Sequence, residues 1–528
     1  MSQASDPELI AHLEKQGIDN RMVMGHPAGL FVLFFTEMWE RFSYYGMRAL
    51  LTVFLITEIG KGGWEWTNAD AMQLYAWYTG LVYLTPLIGG MIADKFTGFR
   101  KAILLGALIM TIGHASMAFE MISPTFFYVG LVFMILGNGL FKPNISSMVG
   151  NLYPDSSSKK DAGYTIFYMG INAGAFLGML LCGYIGEKVG WHYGFGLAGV
   201  FMLFGMLQFY FGRNIFGVIG EKPKKQIVTD IDEIAHVTEE VETPAHIVRD
   251  RLIVVGVLMV ASIFFFFAFE QAGGSMTVFA KNYTQRVLEG NAGIIFKWVD
   301  AILTIFPIVI VSWVLYGLGK KIYKDYPLTI VFTAASFVII WILGGWKVYR
   351  EFSLEQTEVT VSWFQILNSF FIITLASSFS KMWEKVWNPS GPVKFAMGLA
   401  LVGVGFLVLS LGSSSIPQGA KEASVSMIWL ILAYFFHTTG ELCLSPVGLS
   451  YVSKLSPKRL AGLLFGLWFT ASAIANFIAG MTGSYIDQIS QTYSMSIFFL
   501  IIAAIPMIAA VILLILNPKL KKMMHGIN

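Results

Sequence analysis

The chain has 528 residues, of which 55% are hydrophobic and only 13% charged, where a soluble domain carries about 25% charged residues. Its mean hydropathy of +0.64 excludes a string of soluble domains and points to a polytopic membrane protein. Two cysteines, Cys182 and Cys443, exclude a disulfide scaffold, and a net charge of +3 gives no reason to expect a nucleic-acid partner.

Residues 1–28 are polar and lack the basic start and apolar core of a cleavable signal, so the first apolar run is expected to insert itself. A membrane helix needs about 20 mostly apolar residues. By that measure the sequence predicts an all-α protein with fourteen spans: 29–58, 70–94, 101–121, 125–150, 161–186, 192–213, 252–280, 300–318, 326–346, 361–383, 392–412, 424–450, 460–485 and 494–517. The runs are too long and too uniformly apolar for barrel strands. The polar stretch 214–250 reads as a cytoplasmic linker between a first bundle, 29–213, and a second region, 251–517. A cytoplasmic tail, 518–528, follows. With both termini cytoplasmic, 25 of the 36 basic residues fall inside and 8 outside, the asymmetry expected of loops that set orientation. Lys297 and Lys347 are among those assigned to outer loops.

The remaining three, Arg41, Arg48 and Lys142, lie within spans, as do Glu37, Glu40, Glu270 and Glu441. An ionisable group in a span costs about 3 kcal/mol on insertion scales and faces a bundle interior or a wet cavity. In the first span, positions 37, 40, 41, 44, 45 and 48 share an arc of about 140° on a helix. That face holds two carboxylates, two guanidinium groups and two phenols. The opposite face, with Met38, Trp39, Phe42 and Met47, suits lipid or packing. Two carboxylates beside an arginine can share and relay a proton. Arg48 and Lys142 in the first half have acidic counterparts, Glu270 and Glu441, in equivalent helices of the second. This suggests salt bridges between two similar halves that form in one state and break in the other. Local satisfaction by backbone carbonyls is the alternative.

A second polar line runs through Tyr164, Tyr168, Asn172, Asn368, Trp468 and Ser472, where single polar residues serve either helix packing or a ligand. Gly170, Gly174 and Gly178 are expected to allow close helix approach. His437, one helical turn before Glu441, reads as a satisfied interior residue or a proton carrier. No zinc motif or nucleophile–base arrangement is present, so no catalytic or metal-binding residues are expected and the chain does not read as an enzyme.

These residues resemble the proton-dependent oligopeptide transporters, a branch of the major facilitator superfamily. Glu37 to Gly46 matches the family's Glu-x-x-Glu-Arg-Phe motif followed by Tyr-Tyr-Gly. Gly90 to Lys101 resembles the loop after the second helix. Gly137 to Asn144, Phe167 to Gly174, Phe269-Glu270-Gln271, Gly440-Glu441-Leu442 and Gly466 to Phe469 resemble helices 4, 5, 7, 10 and 11. The resemblance implies a major facilitator fold of two six-helix bundles plus two extra transmembrane helices, in the cell (inner) membrane. It implies import of di- and tripeptides with protons as coupling ion and no other cofactor, by a protein that works as a monomer in the lipid bilayer. Glu441, Asn172 and Asn368 would hold the peptide amino terminus. Arg41 and Lys142, with Tyr45, would hold its carboxylate. Tyr83, Phe266, Trp468 and Ser472 would line side-chain pockets. Glu37 and Glu40, with Arg41, would couple protons. Arg48–Glu270 would gate the outer side and Lys142–Glu441 the inner side. Another small solute on the same fold (nitrate, an amino acid or a related anion) is the alternative cargo.

Three features depart from the family pattern. Phe266 stands where many relatives have tryptophan. Ser369 and Ser377 replace prolines, which should straighten that helix. The extra helix pair, at about 300–346, follows the Glu270 helix rather than the linker and is expected to be peripheral to transport.

Overall fold

A computed structural model describes residues 7–154, 156–157, 159–222, 244–457 and 460–527. Residues 223–243 of the expected linker lie outside them. The N-terminal segment forms a helix, α1 (Pro7–Lys15), and a two-residue hairpin, β1 (Met22–Val23) with β2 (His26–Pro27). Leu9 and Leu13 of α1 are fully buried, so this segment is packed against the protein and not a free tail.

Six helices follow: α2 (Ala28–Ile56), α3 (Asn68–Ile92), α4 (Phe99–Met117), α5 (Pro124–Asn151), α6 (Lys159–Lys188) and α7 (Trp191–Gly212). They pack on one another, α2 against α6 and α7, α5 against α3 and α4. The second group begins with α8 (Ala245–Phe269), a 3-10 turn at Glu270–Gly273 and α9 (Ser275–Asn282). It continues with α12 (Val361–Lys385), α13 (Gly391–Gly412), α14 (Ile428–Leu455), α15 (Ala461–Gly483), α16 (Ile486–Thr492) and α17 (Met495–Met523). The groups meet where α15 packs on α3 and α12 on α6. α12 is a continuous helix over 25 residues and carries no proline.

Twelve helices among the described residues are long and apolar enough to cross a membrane. α2 and α4 are not among them, for reasons visible in their composition. α2 carries Glu37, Glu40, Arg41 and Arg48, and α4 is 19 residues long and opens with Arg100 and Lys101. α2 is buried on every side, with Tyr45 alone partly exposed. Its apolar face therefore packs against protein rather than lipid: Trp39 and Phe42 meet Phe201 with ring centroids 5.2 and 4.1 Å apart. Close approach of α6 depends on glycine, because a β-carbon at Gly174 or Gly178 would overlap the carbonyl oxygen of Met38 or Phe42.

Between α9 and α12 the chain inserts a hairpin of two long helices, α10 (Gly290–Ile322) and α11 (Pro327–Ser353). Its stem is a ladder between β3 (Val287–Leu288) and β4 (Thr357–Glu358). Lys188 of α6 and Arg286 lie 2.7 and 3.0 Å from Glu358 at this stem. Burial alone would raise the Glu358 carboxyl, but these two cations outweigh it and hold the group below the usual carboxylate range. Although the hairpin is threaded through the second group, it packs on the first: α11 lies against α7, and α10 against α6, α2 and β1.

The hairpin corrects one expectation. Lys297 and Lys347 are not in outer loops; they are helical residues of α10 and α11, only 8% and 2% exposed. Lys347 forms an ion pair with Asp300, and Asp300 also accepts from Trp363 Nε1 of α12 at 3.2 Å. An apolar-length criterion ends a span near the first charge, so it began one span at Asp300, after Lys297, and ended the next at 346, one residue before Lys347. Removing one member of a buried pair strands the other, at a cost of about 3–5 kcal/mol. Lys347→Met should therefore lower the thermal midpoint of the detergent-solubilised protein substantially. Lys347→Met combined with Asp300→Leu should recover most of that loss.

Candidate functional site

Between the two groups lies a cavity of about 200 Å³. Each wall follows from helix periodicity. α2 supplies Tyr45 and Arg48, α3 Tyr83, α6 Tyr168 and Asn172, α8 Phe266, α12 Asn368, and α14 His437 and Glu441. Glu270, in the turn after α8, closes one end.

The carboxylate wall is centred on Glu441. Asn368 Nδ2 donates to Glu441 Oε2 at 3.0 Å and lies 3.2 Å from Thr438 Oγ1. Asn172 Nδ2 donates to the Tyr168 carbonyl one turn back at 3.0 Å, which leaves its side-chain oxygen for other partners. The opposite wall has phenols backed by cations. Lys142 Nζ sits 4.2 Å from the centre of the Tyr83 ring, an attraction that holds an ammonium group without neutralising it.

Beside this cavity, Arg41 Nε contacts Glu37 Oε1 at 2.7 Å and Glu40 Oε2 at 3.1 Å. Asn138 Nδ2 of α5 donates to Glu40 Oε1 at 2.8 Å. Glu37 and Glu40 are fully buried and Arg41 is 5% exposed. One guanidinium is thus shared between two carboxylates in a dry interior, an arrangement that changes when either carboxylate takes a proton.

The ends of the cavity differ. At one, Arg48 is paired with Glu270 and its Nε lies 3.0 Å from the Tyr75 hydroxyl. Thr52 Oγ1 donates to the Gly273 carbonyl at 2.8 Å, and Gln271 Nε2 to that of Ala479 at 2.9 Å. Toward the other end exposure rises. α6 is buried continuously from Asn172 to Gly186, whereas Tyr164 and Tyr168, nearer its start, are 39% and 44% exposed. α12 shows the same change, with Ile373 50% exposed and Ser377, Ser378 and Ser380 also exposed.

The expected site residues are therefore only partly assembled. Tyr45, Tyr83, Asn172, Phe266, Asn368, Glu441, Arg48 and Glu270 share the cavity. Glu37, Glu40, Arg41 and Lys142 stand next to it. Lys142 and Glu441 are not paired; each has the separate partner described above. Trp468 is 4% exposed and packs edge-on against Phe395 with centroids 6.4 Å apart, and Ser472 bonds the Trp468 carbonyl at 3.3 Å. Neither lines the cavity. His437 packs on Phe406, with centroids 4.5 Å apart.

Sequence reasoning missed Asn138, Tyr75 and Gln365. Asn138 precedes Lys142 by one turn within a quoted motif, so its helical phase could have revealed it. Tyr75 and Gln365 had no local signal, because their positions depend on helix packing. Among the described residues no cluster of His, Cys, Asp or Glu could hold a metal ion.

A helical membrane protein with a charged cavity between two groups of helices, bordered at one end by the Arg48–Glu270 pair, has the architecture of a transporter. The POT family model matches residues 100–239 and 329–505. The chain is 34% identical to the uncharacterized transporter YclF of Bacillus subtilis (strain 168), over 100% of both chains. It is 33% identical to a di-/tripeptide transporter of Lactococcus lactis subsp. cremoris, covering 96% of this chain and 98% of that one. Among solved structures, the peptide transporter POT in complex with sulfate superposes with a TM-score of 0.74 at 30% identity, covering 98% of this chain and 99% of that one. The chain belongs to the POT family. It is a transporter and not an enzyme, and a multi-pass protein of the cell membrane.

The closed end gives a direct prediction. Glu270→Gln leaves Arg48 buried without its anion, a penalty of about 3 kcal/mol or more, enough to shift a two-state equilibrium roughly a hundredfold. Cys182 and Cys443 are buried and contribute little background. A cysteine at Gln365, 9% exposed, should then react much faster with an impermeant maleimide applied from the side of the membrane that the Arg48–Glu270 end faces. An unchanged labelling rate would show that Arg48–Glu270 does not hold this end shut.

Proposed function

We propose that the chain imports di- and tripeptides together with protons by alternating access. The observation that carries this reading is the cavity's paired character. It has a carboxylate with an amide donor on one wall, and cations held beside phenols on the other. A zwitterionic peptide needs opposite charges set apart in a low-dielectric site. A lone anion such as nitrate would leave Glu441 unanswered, so the peptide reading is favoured over a lone-anion cargo.

In this reading Glu441, Asn172 and Asn368 receive the peptide amino terminus, and Arg41 and Lys142, with Tyr45, its carboxylate. Tyr83 and Phe266 border the side-chain space. Trp468 and Ser472 join it when α15 shifts. A proton on Glu37 or Glu40 removes one of the two anions that hold Arg41, freeing the guanidinium for the peptide carboxylate. Coupling then follows, because peptide binding and protonation favour each other.

The chain crosses the membrane fourteen times in this proposal, with α2 and α4 counted as spans and both termini cytoplasmic. The bundles are 29–213 and 251–517, the latter including the extra pair at about 300–346. Residues 1–28, 214–250 and 518–528 are cytoplasmic. The described state is inward-open. Arg48–Glu270 closes the outer side while Lys142 and Glu441 are apart. In the outward-open state the first pair separates and the second forms. The whole path lies within one chain, so a monomer suffices.

Proteoliposomes with an inward proton gradient should accumulate a dipeptide against its own gradient; failure to do so rejects the proposal. Glu37→Gln and Glu40→Gln should each abolish uphill uptake and retain peptide exchange. Glu441→Gln should weaken binding of a free dipeptide at least tenfold, with a smaller effect on its N-acetyl derivative. Equal losses for both ligands would remove Glu441 from amino-terminus recognition.

A further inference from the structure

The transport reading leaves the α10–α11 hairpin without a task. Along one face of α10, Ile302, Phe306, Ile310 and Trp313 are 60%, 63%, 42% and 63% exposed. Their spacing of three to four residues makes a single apolar stripe. The stripe ends at Tyr316, 61% exposed. Immediately beyond it come Lys320, Lys321 and Lys324, all exposed.

These lysines border a cavity of about 670 Å³ that also includes Arg21 from the N-terminal segment. The charges there are unevenly matched. Arg21 is engaged by Asp19 and by Asp325, the latter at 2.5 Å, and donates to the Lys321 carbonyl at 3.1 Å. Among the described residues no carboxylate pairs with any of the three lysines. Lys320 Nζ instead lies 4.7 Å from the centre of the Tyr316 ring. Orientation in a membrane requires only that basic residues lie on the correct side. It does not require a cavity walled by a distant segment of chain, nor unneutralised ammonium groups placed at the end of an apolar stripe.

We propose that this cavity binds the phosphate headgroup of an anionic phospholipid, with an acyl chain lying along the α10 stripe. Ammonium groups and a phosphate diester make charge-assisted hydrogen bonds. A basic residue near an anionic membrane surface contributes about 1 kcal/mol, so three of them discriminate between anionic and zwitterionic lipid. Tyr316 and Trp313 lie where amphipathic rings favour the boundary between headgroup and hydrocarbon. The stripe identifies the occupant as a lipid rather than a free phosphate, which would use the basic rim alone. A bound headgroup would join α10 to the segment carrying Arg21.

The test uses the full chain in detergent, with short-chain phosphatidylglycerol, phosphatidylcholine of the same chain length and inorganic phosphate as probes. Native mass spectrometry should retain phosphatidylglycerol on the protein, and its thermal midpoint should rise with that lipid alone. The triple variant Lys320→Gln/Lys321→Gln/Lys324→Gln should lose at least tenfold in phosphatidylglycerol affinity and melt normally without lipid. A control, Lys519→Gln/Lys521→Gln/Lys522→Gln, removes as much charge from the C-terminal end of α17 and should bind as the parent does. The proposal is overturned by an equal response to phosphatidylcholine or to inorganic phosphate. Parent-like binding by the α10 variant, or an equal loss in the control, overturns it too.

Discussion

Everything about the site follows from the requirement that a charge withdrawn from water be matched inside the protein. α2 places two carboxylates and two guanidinium groups in a helix that protein surrounds on all sides. Desolvation of that order is tolerable only with partners in place. Arg41 finds them on its own helix in Glu37 and Glu40, while Arg48 must reach to Glu270 in the other group of helices. The internal match makes a compact unit of three charges on one helix. The external match makes a contact between the two groups of helices. The same requirement governs Lys347 with Asp300, and Glu187, whose oxygens accept from the Val361 and Ser362 amides at 2.7 and 2.9 Å.

How much of this the sequence disclosed depends on how local each constraint is. The charged face of α2 is a matter of spacing within twelve residues, and helical periodicity places it correctly. The pairing of Arg48 with Glu270 required recognising two related halves, and the sequence carried that relation. Lys297 and Lys347 were misplaced because hydropathy penalises each charge singly, although Lys347 of α11 is matched by Asp300 of α10. Tyr75 and Gln365 owe their positions to how α3 and α12 pack, which no local pattern encodes, whereas the helical phase of Asn138, one turn before Lys142, was there to be read.

The separation of Lys142 from Glu441 belongs to a different category. Both residues were identified from the sequence, and both stand at the margins of the cavity. Lys142 lies against Tyr83 and Glu441 accepts from Asn368, and a sequence alone does not specify which of its possible pairings a given conformation makes. α6 is buried continuously beyond Asn172, whereas Tyr164 and Tyr168 are exposed, so its neighbours enclose it at one end more than at the other.

The hairpin's stem carries a further consequence. α10 and α11 are joined by peptide bonds to one group of helices and packed against the other, and Glu358 at the stem is held by Lys188 of α6. Any rocking of the two groups must therefore be taken up in the few residues on either side of the β3–β4 ladder. A flexible joint would let the groups swing freely. A short hydrogen-bonded one restrains them, as a check strap limits how far a door opens. The inserted pair would then set the amplitude of the cycle without touching the cargo.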